Sequence, residues 1–256
     1  MAMDRHRVIL LPGGVLPAAP AYRALIEALG DRASCIPKDL EIYAGDKPQP
    51  NYSLDLEIEG VLRAAREAGF DRFCLVGYSA GGQVALGTAA KYPELVSGLG
   101  LIEFGPFRTL DPGPEGDVWV QQLEHLLTVP PERRGQANAS MLLKPGVEPP
   151  PPPSAPPPPW MAKRPAAFEH FMRLSFYPLD LDALARYRGP AYFAIGALSN
   201  PTFERQARRV AELWPQATIE TYEGLHHLNP PHLAAPARMA KSLLEAWSMA
   251  ERTDGS

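Results

Sequence analysis

The chain has 256 residues, 45% hydrophobic and 21% charged, with a formal net charge of −4. That is the make-up of a globular protein long enough for one substantial core, and no apolar run approaches the ~20 residues of a membrane helix. With 29 acidic against 25 basic side chains and no block of Lys and Arg, a nucleic-acid surface is not expected.

The N-terminus passes from Met-Ala-Met-Asp-Arg-His-Arg straight into a core-like strand, without the longer apolar stretch of a signal peptide. Residues 7–12 (Arg-Val-Ile-Leu-Leu-Pro) carry a short buried-strand signal, and residues 18–29 a helical one ended by Gly30. A weak strand at 33–36 precedes a polar loop. Ser53 is placed to cap a helix reaching about Ala68, where Gly69 stops it. Residues 72–77 then read as a strand, 80–92 as a helix and 97–102 as a strand. Later, 190–196 reads as a strand, 202–214 as a helix, 217–222 as a strand and 233–250 as a closing helix. No internal repeat is visible. This alternation implies parallel strands joined by right-handed crossovers, with helices on both faces. The fold class is therefore α/β, a doubly wound, mostly parallel sheet of about six strands. Cys35 and Cys74 sit in apolar surroundings without metal spacing, which predicts two reduced, buried thiols in a cytoplasmic protein.

Residues 105–188 break the rhythm. The expected organisation is a core of residues 1–104 and 189–256, with 105–188 inserted as a helical lid over the sheet edge where such folds bind ligands. The insert holds helical patterns near 117–127 and 168–176. Phe168, Phe171, Met172 and Phe176 recur there at helical spacing, as expected for packing against the main body. It also holds ten of the chain's 30 prolines, between Pro145 and Pro159. Such a run excludes helix and interior strand and is read as an extended, solvated spacer; a docking site for a proline-binding module, aided by Lys163 and Arg164, is the alternative.

The chemistry concentrates at Phe73-Cys74-Leu75-Val76-Gly77-Tyr78-Ser79-Ala80-Gly81-Gly82. A strand, a Gly-x-Ser-x-Gly turn and a helix of small residues put Ser79 on a sharp bend. Any Cβ two residues to either side would clash, so Gly77 and Gly81 are required, and the helix start turns free N–H groups toward the serine. Downstream, Tyr222-Glu223-Gly224-Leu225-His226-His227-Leu228 follows the last strand, and Leu10-Leu11-Pro12-Gly13-Gly14-Val15 follows the first.

These segments, in this order, resemble the α/β-hydrolase superfamily, and the likeness covers most of the chain outside the insert. The chain starts at what would be the family's third strand. The resemblance implies a serine nucleophile at Ser79 and an oxyanion hole from the N–H groups of Ala80 and Gly14, with Val15 as an alternative to Gly14; Pro12 replaces the family's histidine. It also implies a base at His227, with His226 as the alternative. The acid departs from the common pattern. The strand ending at Gly196 is followed by Ala-Leu-Ser-Asn-Pro, without a carboxylate, whereas Glu103 ends the apolar strand Gly100-Leu101-Ile102. Some haloalkane dehalogenases place a glutamate there, but with an aspartate nucleophile. Glu103 is taken as the acid, with Asp180 or Asp182 as alternatives. His232 is read as a helix-start residue.

The expected function is hydrolysis of a small carboxylic ester or thioester through a Ser79–His227–Glu103 triad and an acyl-enzyme. The pocket residues proposed for it are Tyr78, Phe104, Trp119 and Trp160. Alternatives on the same scaffold are a C–C bond hydrolase or lyase, or a non-catalytic protein that binds a small ligand. The expected partner is a partly apolar small molecule, with no cofactor and no catalytic metal.

Overall fold

Short, uninterrupted apolar runs set the architecture. The computed structural model describes residues 5–14, 16–45, 47–151 and 158–253. In chain order it builds β1 (His6–Leu11), α1 (Ala18–Leu29), β2 (Ala33–Pro37), α2 (Leu54–Glu67), β3 (Phe73–Tyr78), α3 (Ala80–Lys91) and β4 (Val96–Ile102). The chain then leaves the sheet for α4 (Pro114–Thr128), α5 (Pro131–Met141), α6 (Arg164–Leu174) and α7 (Leu181–Leu184). It returns for β5 (Ala191–Gly196), α8 (Pro201–Ala211), β6 (Ala217–Tyr222), α9 (Pro231–Ala234) and α10 (Pro236–Thr253).

The six strands form one sheet in the order β2-β1-β3-β4-β5-β6, every pair parallel. Strands buried on both faces must be apolar throughout, and Val8, Ile9, Leu10 and Leu11 of β1 are all fully buried. Alternate residues face opposite ways. Val8, Leu10, Cys74 and Val76 pack with α1 and α10, where Leu25, Leu243 and Trp247 meet them. Ile9, Leu11, Leu75 and Phe193 pack on the other face with α2, α3 and α8. Each buried Leu or Ile contributes on the order of 2 kcal/mol, so these two layers dominate the stability.

The winding reverses at β1. From β1 the chain steps outward to β2, then crosses back to β3 on the opposite side. The C-terminal ends of β1 and β3 therefore release their loops in diverging directions, which opens a crevice at that edge.

Some expectations need correction. The closing helix is two helices, because Pro236 cannot continue α9 and instead opens α10. The polar segment Pro131–Met141 folds as a helix that no apolar periodicity announced. Pro159 does not extend the proline run but starts a 3-10 turn, Pro159–Lys163; residues 152–157 of the run lie outside the described residues. Phe176 is 47% exposed rather than packed on the body. Both cysteines are free, but only Cys74 is buried. Cys35, on edge strand β2, is half-buried, and its burial pushes the thiol up to about 11.

Candidate active site

Ser79 sits between β3 and α3 with φ 53° and ψ −118°, a strained conformation for a residue with a Cβ, costing about 1–3 kcal/mol. Its backbone is held from several sides. Ser79 N–H donates to the Ile102 carbonyl (3.1 Å), and its own carbonyl accepts from Gly82 (2.9 Å), Gln83 (3.2 Å) and Gly105 (2.9 Å). A Cβ on Gly77 would run into the Gly81 carbonyl, and one on Gly81 into the carbonyls of Leu11 and Pro12. Gly81 N–H donates to Pro12 (3.1 Å), so the bend is locked to the loop after β1.

The loop after β6 delivers the base candidate. It is tied to the loop after β5 through Leu198 N–H on the Leu225 carbonyl (2.9 Å), and closed on itself by Asn229 N–H on the His226 carbonyl (2.8 Å). The Tyr78 hydroxyl donates to the His227 carbonyl, joining this loop to the serine bend. His227 Nε2 lies 3.1 Å from Ser79 Oγ, and its ring is 2% exposed. Phe203 of α8 stacks against it, with centroids 4.5 Å apart and planes at 19°. His226 turns back into its own loop, where its Nδ1 accepts from Leu228 N–H (3.1 Å). Burial, chiefly, holds its imidazole below the ordinary value. The structure thus brings His227, and not His226, to the serine.

Glu103 follows β4 with φ 42° and is fully buried. Its Oε2 faces His227 Nδ1 at 3.2 Å. The approach is off the straight line of a good hydrogen bond, yet neither atom has another partner among the described residues. Its Oε1 accepts from Gly196 N–H (2.7 Å) and from the Ser199 hydroxyl. The loop after β5 therefore supplies donors to Glu103 rather than a carboxylate of its own. Asp180 instead caps α7 through Ala183 N–H (2.9 Å). Asn200 caps α8 through Thr202 N–H (3.0 Å) and donates to the Met141 carbonyl (2.8 Å).

Ser79 opens into a cavity of about 120 Å³. Gly14, Tyr78, Ala80 and His227 line its core side; Trp119, Phe168, Phe171 and Met172 line the side of the insert. Val15 lies outside the described residues. Gly14 is clamped rather than free: the Tyr43 hydroxyl donates to its carbonyl (2.9 Å), and Phe171 lies against its Cα. Tyr43 closes a 3-10 turn, Glu41–Tyr43, which is anchored by the fully buried Glu57 through Glu41 N–H (2.8 Å) and Ile42 N–H (3.1 Å). Burial is the main influence on the Glu57 carboxyl and raises its pKa.

Two of the four expected pocket residues are elsewhere. Phe104 is fully buried behind the site, under Gly82 and near Phe193, because a strand-end residue beside Glu103 must point to the opposite face. Trp160 lines a separate cavity with Pro12, Pro17, Tyr43 and Lys163. His232 does begin α9, but it is 1% exposed and sandwiched between Tyr22 and Tyr78, with centroids 4.9 Å away on each side. Burial, helped by His227, lowers its pKa to about 3. Ser199, Phe203, Tyr43 and Glu57 were not anticipated; each meets the site through a contact distant in sequence. Among the described residues no group of three His, Cys, Asp or Glu side chains is arranged to hold a metal ion, and no helix is long and apolar enough to cross a membrane.

The comparisons with known proteins fit this frame. The model of the Alpha/beta hydrolase family matches residues 8–242. No curated protein sequence matches the chain. Among solved structures, the chain is similar to carboxylesterase CesB from Bacillus subtilis, at 17% identity and TM-score 0.62, covering 95% of this chain and 84% of that one. It is similar to the meta-cleavage product hydrolase CumD from Pseudomonas fluorescens IP01, at 15% identity and TM-score 0.62, covering 96% and 92%. It is also similar to a loop variant of the haloalkane dehalogenase DbeA from Bradyrhizobium elkanii, at 17% identity and TM-score 0.64, covering 99% and 92%. Identities this low speak to the shared fold alone. The family match spans nearly the whole chain, and with it the chain belongs to the alpha/beta hydrolase family and is an enzyme of hydrolase type.

Proposed function

We propose that the protein hydrolyses a small carboxylic ester or thioester through Ser79, His227 and Glu103, by way of an acyl-enzyme. The observation that carries this reading is the continuous line from Ser79 Oγ to His227 Nε2 (3.1 Å) and from His227 Nδ1 to Glu103 Oε2 (3.2 Å), ending in a cavity roofed by the insert. Ser79 Oγ attacks the acyl carbonyl as His227 Nε2 takes its proton. Glu103 keeps the Nδ1–H tautomer facing it and stabilises the imidazolium. Gly14 and Ala80 offer N–H groups to the oxyanion, which develops where α3 begins and the helix dipole favours negative charge. Collapse returns the proton to the leaving alcohol or thiol and leaves Ser79 acylated. Water then gives a proton to His227 and attacks the acyl carbon; the acid departs and Ser79 regains its proton. The insert acts as a lid that excludes bulk water from these charges. Ser79 at the nucleophile position favours ester over haloalkane chemistry, since a serine alkyl ether has no carbonyl for water to attack.

A fluorophosphonate probe followed by peptide mapping tests the reading. Labelling at Ser79 that disappears in Ser79→Ala, together with turnover of short p-nitrophenyl esters, is the expected result. A folded protein that neither labels nor turns over any such ester would overturn it.

A further inference from the structure

Glu103 is fully buried at the end of β4, and few groups orient its carboxylate. The terminal torsion of a glutamate is broad and nearly two-fold, so the side chain itself does not choose the plane in which its oxygens lie. Oε1 accepts from Gly196 N–H (2.7 Å) and from the Ser199 hydroxyl, while Oε2 faces His227 Nδ1 at 3.2 Å. A single donor on Oε1 would leave a pivot about which the carboxylate could turn; a second, reaching it from another residue, closes that freedom. Ser199 is 5% exposed and sits in a loop tied to three other segments. Its N–H donates to the Gly196 carbonyl at the end of β5 (3.0 Å). Leu198 N–H donates to the Leu225 carbonyl (2.9 Å), in the loop that carries His227. From the insert, Leu143 forms an antiparallel bridge with Ser199, flanked by Lys144 N–H on the Leu198 carbonyl (2.9 Å) and Asn200 N–H on the Leu142 carbonyl (3.0 Å). One hydroxyl thus stands where β5, the loop after β6 and the insert are stitched together, and it is directed at the carboxylate.

We infer that Ser199 is a positioning residue: its hydroxyl fixes the carboxylate of Glu103 with Oε2 toward His227, and it acts on the reaction through Glu103 alone. This rests on the hydrolase reading above and assigns the group that keeps the counter-charge of the imidazole in place. A neutral imidazole tolerates a displaced carboxylate, whereas the imidazolium that develops in the transition state does not. The loss therefore falls on turnover rather than on substrate binding. Gly196 N–H remains as a donor when Ser199 is truncated, so the effect is smaller than that of losing the carboxylate itself.

The test compares Ser199→Ala, Ser199→Thr and the double variant Ser199→Ala with Glu103→Gln against wild type and Glu103→Gln, on a short p-nitrophenyl ester. Each protein is first checked for a cooperative urea transition. Ser199→Ala is expected to lower kcat about ten- to hundredfold, the value of one hydrogen bond to a charged group, with KM changed by less than about twofold. Ser199→Thr keeps the hydroxyl and should hold kcat within about threefold of wild type. In the Glu103→Gln background, Ser199→Ala should cost less than about twofold more, because a residue acting through a partner has nothing left to act on once that partner is gone. An unchanged kcat in Ser199→Ala, a loss carried by KM, a Thr variant as impaired as the Ala variant, or a full additional loss on top of Glu103→Gln would overturn the inference while the hydrolase reading stands. A wild-type protein with no ester turnover and no labelling of Ser79 would overturn both.

Discussion

Phe203 lies flat on the imidazole of His227, its centroid 4.5 Å away, although 24 residues and a strand separate them in the chain. An aromatic face fixes the ring plane and, in the proposed mechanism, favours the positive charge the ring would take on in accepting the serine proton. Phe203→Leu keeps an apolar side chain there but removes both effects. We expect kcat to fall about tenfold with a cooperative unfolding transition retained, read from ester turnover beside circular dichroism.

Glu103 is bound on one oxygen by Gly196 and Ser199 and faces His227 with the other. Glu103→Gln keeps the shape but offers an amide that leaves the imidazole in the wrong tautomer. A loss in kcat of about 10³–10⁴ is expected. Asn200→Ala should leave kcat near wild type and lower stability by about 1 kcal/mol, the value of the cap it removes. Equal activity of the Gln variant would move the acid elsewhere.

Tyr43 contributes one hydroxyl to the carbonyl of Gly14. Two consecutive glycines carry much backbone freedom, so in the proposed mechanism the Gly14 N–H would depend on this contact to be preorganised. Tyr43→Phe retains the ring against Phe171. It should lower kcat about three- to tenfold with KM little changed, and weaken a trifluoromethyl ketone inhibitor in proportion.

His232 gives the protein an acid-sensitive point. Its pKa falls from about 6.5 in the unfolded chain to about 3 in the fold. Above pH 6.5 both states are neutral and nothing is lost. Between pH 6.5 and 3 only the unfolded chain takes the proton, so stability falls as pH falls, on the order of 1.4 kcal/mol per unit. His232→Phe keeps an aromatic ring between Tyr22 and Tyr78. It should flatten this slope in urea unfolding curves taken from pH 7 to pH 4; an unchanged slope would assign the sensitivity to other groups.

Much of the frame was legible because it depends on local signals. The burial of Val8 to Leu11 on both faces announces a parallel strand, and Gly77-Tyr78-Ser79-Ala80-Gly81 encodes its own bend. The placement of Glu103 and His227 could be read because each ends or follows a strand on the same edge. What escaped depends on contacts across the fold. Nothing near Ser199 marks it as a donor to a carboxylate 96 residues earlier, and Tyr43 meets Gly14 only because Glu57 pins the turn that carries it. Trp160 was misplaced for the same reason: the insert's path over the core decides which cavity an aromatic reaches, and composition does not encode that path.

The strand end that carries Glu103 also launches the insert, yet the first residues past it are moored to the core. Gly105 N–H holds the Ser79 carbonyl (2.9 Å). Phe107 is gripped at both its N–H (2.8 Å) and its carbonyl (3.0 Å) by the amide of Gln206. Farther along, the same segment is joined to the loop that holds the carboxylate, since Leu143 pairs with Ser199 and Asn200 N–H donates to the Leu142 carbonyl (3.0 Å). Gln206 and Ser199 thus fasten the two ends of the aromatic wall over Ser79 to the same sheet edge that carries Glu103.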